Sequence, residues 1–243
     1  MTIRVLSIFG TRPEAVKMAP VVQTLASTQG IESLVCVTAQ HRQMLDQVLE
    51  IFNIHPDVDL DLMRPNQRLA ESAASIFTHL PSVLARLQPD WVLVQGDTTT
   101  VMAATLLAYY QRIKVGHVEA GLRTHDKWQP FPEEINRRVA GVVADLHFAP
   151  TEWSQKNLLN EGIPPQNIVI TGNPVIDALQ QISALPPSAE VLDLYKQIGL
   201  GEQPRASDPR LVLVTAHRRE NFGQPLEDIC IALRCLVETY GDS

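Results

Sequence analysis

Short apolar runs rich in β-branched residues recur along the chain: Ile3 to Phe9, Leu34 to Thr38, Trp91 to Gln95, Val115 to Val118, Leu146 to Ala149, Ile168 to Thr171 and Leu211 to Thr215. Their composition is that of strands covered on both faces. Between them apolar residues return every three or four positions, as in Met44, Leu45, Val48, Leu49 and Phe52, or Ile135, Val139, Val142 and Val143. That spacing belongs to helices that lay one face on a sheet. Strand and helix alternating in this way predict a doubly wound α/β fold, a parallel sheet with helices on both sides joined by right-handed crossovers.

The alternation breaks near Leu185, where Pro186, Pro187, Pro204 and Pro209 punctuate a polar stretch with one short helix candidate, Ala189 to Ile198. A domain boundary is expected there, with residues 1–184 as a first Rossmann-like domain, 185–209 as a linker and 210–243 as the start of a second domain. The last stretch offers one strand, Leu211 to Thr215, and one helix, about Leu226 to Tyr240. A single βα unit cannot bury its own apolar face, so Ile229 and Leu233 are expected either to be exposed or to be covered by other packing.

Composition narrows the class. With 45% hydrophobic and 19% charged residues in a chain of 243, a sizeable core is available. A net charge of −7 argues against non-specific nucleic-acid binding, which needs clustered Lys and Arg. Cys36, Cys230 and Cys235 have neither disulfide-framework nor zinc-site spacing, and a reducing cytoplasm fits them. The start, MTIRVLSIFG, meets Arg12 and Glu14 too soon for a signal peptide. Val101 to Tyr110 is about half the ~20 residues that span a bilayer, so it is expected to be a buried helix. Seven dispersed His residues suggest no metal.

In open α/β sheets ligands bind beyond the carboxyl ends of the strands. After the first strand comes GTRPEAVKMAP, where Thr11 and Glu14 have capping-box spacing and Pro13 suits a first turn. A helix should begin there, kinked or restarted at Pro20. Arg12 at its positive end is mildly unfavourable unless an anion is bound, so Arg12 with Lys17 reads as a phosphate clamp. Asp97, exposed by Gly96 in GDTTT, suits either chemistry or an N-cap. Glu119 in HVEAGLRT has no capping role to explain it. Glu133 in FPEEINRR falls in a first helical turn behind Pro132, where the helix dipole alone favours acid. His217 in AHRREN stands beside Arg218 and Arg219, a combination suited to diphosphate. No G-x-G-x-x-G turn, P-loop or H-E-x-x-H helix is present, which argues against NAD, P-loop ATP hydrolysis and zinc hydrolysis. No cofactor is expected.

The stretches FGTRPEAVKMAP, VTAQHRQMLDQVL, GDTTT, VGHVEAGLRT, FPEEINRR, ITGNPVIDAL and VTAHRRENFG, spread from Phe9 to Gly223, make the chain resemble the non-hydrolysing UDP-N-acetylglucosamine 2-epimerases of bacteria. The resemblance implies two Rossmann-like domains arranged as in GT-B glycosyltransferases, with a UDP-sugar between them, and a homodimer. Carried over position by position, it sets Arg12, Lys17 and His217 against the diphosphate. Asp97, Glu119 and Glu133 become the catalytic carboxylates, with His217 also a catalytic candidate. Family members usually have Gly where this chain has Asn66, and they continue through a second domain that holds uridine and ribose.

The implied reaction interconverts UDP-N-acetylglucosamine and UDP-N-acetylmannosamine. The C2 hydrogen is not next to a carbonyl, so loss of UDP from C1 must accompany its removal, giving 2-acetamidoglucal, to which UDP re-adds. A hydrolysing 2-epimerase, a GT-B glycosyltransferase or a non-catalytic nucleotide-sugar-binding fragment would share much of this equipment.

Overall fold

The computed structural model describes residues 2–39, 42–62, 64, 67–200, 211–216 and 222–240. His217 and Asn66 lie outside the described residues. The chain divides into two compact units, Met1–Ala184 and Leu185–Ser243.

The first unit is built on seven parallel strands: β1 (Ile3–Phe9), β2 (Ile31–Val37), β3 (Val58–Asp59), β4 (Trp91–Gln95), β5 (Lys114–Val118), β6 (Leu146–Ala149) and β7 (Ile168–Ile170). Their spatial order is β3-β2-β1-β4-β5-β6-β7. The doubly wound expectation is met, and the direction of winding reverses between β1 and β4, where such sheets open a crevice. Helices α1 (Arg12–Ser27), α2 (Arg42–Ile51), α3 (Leu69–Leu87), α4 (Thr99–Tyr110), α5 (Glu133–Val143) and α6 (Glu152–Asn160) make the crossovers, and α7 (Pro174–Ser183) follows β7 and packs against α1.

Strand side chains alternate between two cores. Leu6, Ile8, Val92 and Val94 face Ile76, Leu80 and Leu84 of α3 and Val101 and Ala104 of α4. Val5, Phe9, Val35 and Val37 face Ala15, Met18 and Val22 of α1 and Leu45, Val48 and Leu49 of α2. Both faces are therefore dry, which is why the strands read as unbroken apolar runs. Helix α4 is largely buried as far as Ala108, as its composition predicts, whereas Tyr109 and Tyr110 at its end are exposed. Among the described residues no helix is long and apolar enough to cross a membrane.

Helix α1 starts with the expected capping box: Thr11 Oγ1 accepts from the Glu14 N–H, and Glu14 accepts from the Thr11 N–H. Of the two outcomes expected at Pro20, the restart does not occur, because α1 runs through it as one helix. Pro20 is buried, and tertiary packing outweighs the missing backbone donor. β2 begins three residues before the apolar run that marks it, because Ile31 to Ser33 pair with Ile3 to Val5.

The second unit holds α8 (Ala189–Gln197) and α9 (Gln224–Tyr240). The strand expected at Leu211 to Thr215 is not formed. An apolar run becomes a strand only when a neighbour supplies the ladder, and among the described strands none pairs with it. Leu213 is 90% exposed, Ile229 and Leu233 are half-buried, and Leu236 and Val237 are exposed.

Candidate active site

The carboxyl ends of β1, β4 and β5 and the starts of α1, α4 and α5 enclose a pocket of about 550 Å³. Its walls include Thr11, Glu14 and Lys17, then Gln95 to Thr99, and then Glu119, Glu133 and Asn136. Four of the residues singled out in the sequence, Lys17, Asp97, Glu119 and Glu133, are thus brought together. Arg12 is exposed at the first position of α1 and does not line the pocket. Among the described residues it has no ion-pair partner, whereas Lys17 does.

Glu119 is the most constrained of the three candidate catalytic carboxylates. It is 8% exposed and adopts φ 61°, a left-handed conformation that costs a non-glycine residue about 1–3 kcal/mol. Three donors hold it: Lys17 Nζ reaches Oε2 at 2.6 Å, Gln95 Nε2 donates to the same oxygen, and Asn173 Nδ2 donates to Oε1 at 3.0 Å. Lys17 is therefore paired with Glu119 in this structure, which leaves Arg12 as the unpaired cation of the expected clamp.

Asp97 follows Gly96, whose φ of +78° needs a residue without Cβ. The alternative role of Asp97 as an N-cap is not realised, because Thr98 caps α4 by accepting from the Val101 N–H. The carboxylate instead pairs with Arg137, and the Asp97 carbonyl accepts from Asn136 Nδ2 at 3.0 Å.

The two glutamates of FPEE separate by face. Glu133 is half-buried on the pocket wall and has no hydrogen-bond or ion-pair partner among the described residues. Glu134 is fully buried and accepts from the Thr124 N–H at 3.1 Å and the His125 N–H at 3.3 Å, with Arg137 and Arg138 beside it. Burial pushes its carboxyl pKa up, but the Thr124 donors and the Arg137 charge outweigh that and hold it below the usual carboxylate range.

Sequence reasoning missed several members of this site. Glu14 was read as a cap alone, yet it also accepts from Thr98 Oγ1 at 2.7 Å and so ties the β1–α1 turn to the β4–α4 turn. Burial raises its pKa against the pull of donors from Thr98, Gly10 and Thr11. Gln95, Arg137 and Asn173 were also missed. Gln95 closes an apolar strand, which is a signal, whereas Arg137 and Asn173 are ordinary helical and turn residues. Among the described residues no group of His, Cys, Asp and Glu could hold a metal ion.

The sequence model of the UDP-N-acetylglucosamine 2-epimerase family matches residues 23–242. The chain belongs to that family. It is 53% identical over 232 residues to the UDP-N-acetylglucosamine 2-epimerase of Salmonella typhimurium, covering 95% of this chain and 61% of that protein. The enzyme of the same name from Escherichia coli is 51% identical, with 98% and 63% covered. The crystal structure of UDP-GlcNAc 2-epimerase from Neisseria meningitidis bound to UDP-GlcNAc superposes with a TM-score of 0.86 at 48% identity, covering 98% of this chain and 64% of that one. The chain thus spans about three fifths of the length of its curated family members.

Proposed function

We propose that this chain carries the acid/base half of a UDP-N-acetylglucosamine 2-epimerase and that, in a protein of its relatives' length, it interconverts UDP-N-acetylglucosamine and UDP-N-acetylmannosamine. The observation that carries this reading is the meeting of Asp97, Glu119, Glu133 and Lys17 around one pocket at the switch point of a family member's sheet. A cavity of about 550 Å³ is within the range for small-molecule sites.

Inversion at C2 requires a proton to leave one face and return to the other. A carboxylate takes the C2 proton as the C1–O bond to UDP breaks, the bonding pair forming the double bond of 2-acetamidoglucal. A proton then returns to the opposite face of C2 while the diphosphate oxygen attacks C1. Glu133, with no partner on its oxygens among the described residues, is the carboxylate best prepared to exchange that proton. Asp97 serves the second face. Glu119, already holding three donors, organises Lys17, Gln95 and Asn173 and shares in the chemistry once Lys17 turns to the diphosphate. The family resemblance assigns Arg12 and His217 to the diphosphate, and positive charge near it would stabilise the departing UDP.

Residues 1–184 form the catalytic domain in this reading, 185–209 link it to a nucleotide-binding domain beginning at about residue 210, and the active species is a cytoplasmic homodimer needing no cofactor. The test is UDP-N-acetylglucosamine in deuterated water with the protein extended to family length. Deuterium should enter C2 of the recovered nucleotide sugars as the manno epimer forms. Release of free UDP and sugar would identify a hydrolase, sugar transfer without C2 exchange a glycosyltransferase, and epimerisation without exchange would refute elimination.

A further inference from the structure

The sequence stretch VGHVEAGLRT places a histidine two residues before Glu119, and none of the chemistry above uses it. His117 is 1% exposed on β5, and its Nε2 lies 2.7 Å from the Gly96 carbonyl oxygen. A carbonyl only accepts, so Nε2 carries the ring proton and donates. We infer that His117 is a positioning residue: its Nε2–H holds the Gly96 carbonyl, and with it the turn that presents Asp97 to the pocket.

The placement of Gly96 supports this. Its N–H donates to the Val118 carbonyl at 3.0 Å, so both of its backbone polar groups are tied to β5. Gly96 has the conformational freedom of a left-handed glycine, and a turn anchored at one end only would let Asp97 swing. β5 also ends at Val118, directly before Glu119. One strand therefore sets the positions of two candidate catalytic carboxylates, Glu119 through the chain and Asp97 through His117. Asp97 is steadied further by Asn136 on its carbonyl, Arg137 on its carboxylate and Glu14 on the adjacent Thr98.

The surroundings keep the ring neutral. His117 Nδ1 is buried without a partner, so a proton there would be an unsatisfied donor. Arg123, whose guanidinium pairs with Glu161 just past the end of α6, stands nearby, as do Arg137 on α5 and the buried His147, the register partner of His117 on β6. All three oppose a positive charge on the ring. A buried nitrogen with no partner costs about 1–3 kcal/mol compared with an apolar side chain of similar shape. The imidazole is thus a poor choice for packing alone, and the hydrogen bond to Gly96 is what it supplies.

This inference rests on the reading of Asp97 as a catalytic carboxylate, and its test separates the two. In the protein extended to family length, His117→Phe keeps the bulk and removes the donor. It should lower kcat by about 10²-fold, the scale of an ångström-sized misplacement, with KM changed less than about threefold. His117→Gln carries an N–H at similar reach and should recover most of that loss. With Asp97→Asn already in place, His117→Phe should lower kcat no further, because residues acting as a unit are not additive. Full additivity, or a Gln variant as impaired as the Phe variant, would overturn the assignment. Hydrogen exchange of the peptide spanning residues 96–98 in the 243-residue chain reads the turn without any catalysis. It should quicken in His117→Phe and stay near wild type in His117→Gln, and equal exchange in all three would also overturn the assignment. If His117→Phe does not fold, His117→Asn, too short to reach Gly96, replaces it. An extended wild type with no epimerase activity but with the exchange contrast intact would sink the functional reading and leave the positioning role standing.

Discussion

Acid should weaken the first unit through His117, and the size of the effect can be worked from its surroundings. Burial first, opposed by the hydrogen bond to Gly96 and reinforced by His147, Arg123 and Arg137, lowers the pKa from 6.5 to about 4. The unfolded chain therefore binds this proton before the folded one does. The contribution is fully present above pH 6.5, is lost as pH falls from 6.5 towards 4, and changes no further below that. That interval of roughly 2.5 pH units, at about 1.4 kcal/mol each, amounts to about 3 kcal/mol. Other groups titrate as well. His147 is lowered mainly by burial and acts in the same direction, and Glu134, also lowered, loses its contribution in stronger acid. Glu14, raised by burial, acts the opposite way. Comparing the wild type with His117→Gln cancels these and isolates one ring, since the amide keeps the donor and does not titrate. Urea unfolding followed by tryptophan fluorescence reports on the first unit alone, because Trp91, Trp128 and Trp153 all lie within residues 1–184. Between pH 7.5 and pH 4 the wild type should lose about 3 kcal/mol more than the variant. Parallel stability curves would show that the ring is not held neutral by burial and would refute the reasoning.

Gly121 has φ +87°, and an added Cβ would sit 2.2 Å from the Ser154 carbonyl oxygen, so backbone strain and backbone overlap combine. Gly121→Ala should destabilise the first unit by about 2–5 kcal/mol, visible as a lower Tm, and an unchanged Tm would refute the packing described. Glu133→Gln should leave Tm near wild type and lower kcat by about 10²–10⁴-fold in the protein of family length, as expected for loss of one general acid or base. Glu134→Gln should instead lower Tm, because its carboxylate anchors Thr124 and His125, and the reverse pattern would exchange the roles of the two glutamates.

The pattern of apolar positions was sufficient for the class of the fold and for six of the seven parallel strands, because a strand buried on both faces must be apolar along its length. β3 was not legible: Val58 and Asp59 are too few to show a period, and they pair only because Cys36 and Val37 lie beside them. The reverse held at Leu211 to Thr215, an apolar run that is not a strand and pairs with none of the described strands. Local chemistry was legible at Thr11 and Glu14, since a capping box closes within four residues. The rule that ligands gather at strand ends also singled out Asp97 and Glu119, both of which line the pocket with Glu133.

What those carboxylates touch was decided by the tertiary structure. Lys17 and Glu119 are 102 positions apart, Asn173 and Glu119 are 54 apart, and Asp97 and Arg137 are 40 apart. No periodicity spans such distances; the parallel crossovers bring the partners together. Folding therefore moved Lys17 from a clamp with Arg12 to a pair with Glu119, left Glu133 without a partner among the described residues while burying Glu134, and gave His117 the Gly96 carbonyl to hold. A sequence specifies which side chains stand at the ends of strands, whereas their charge state and hydrogen bonds depend on burial and on neighbours that only the assembled sheet supplies.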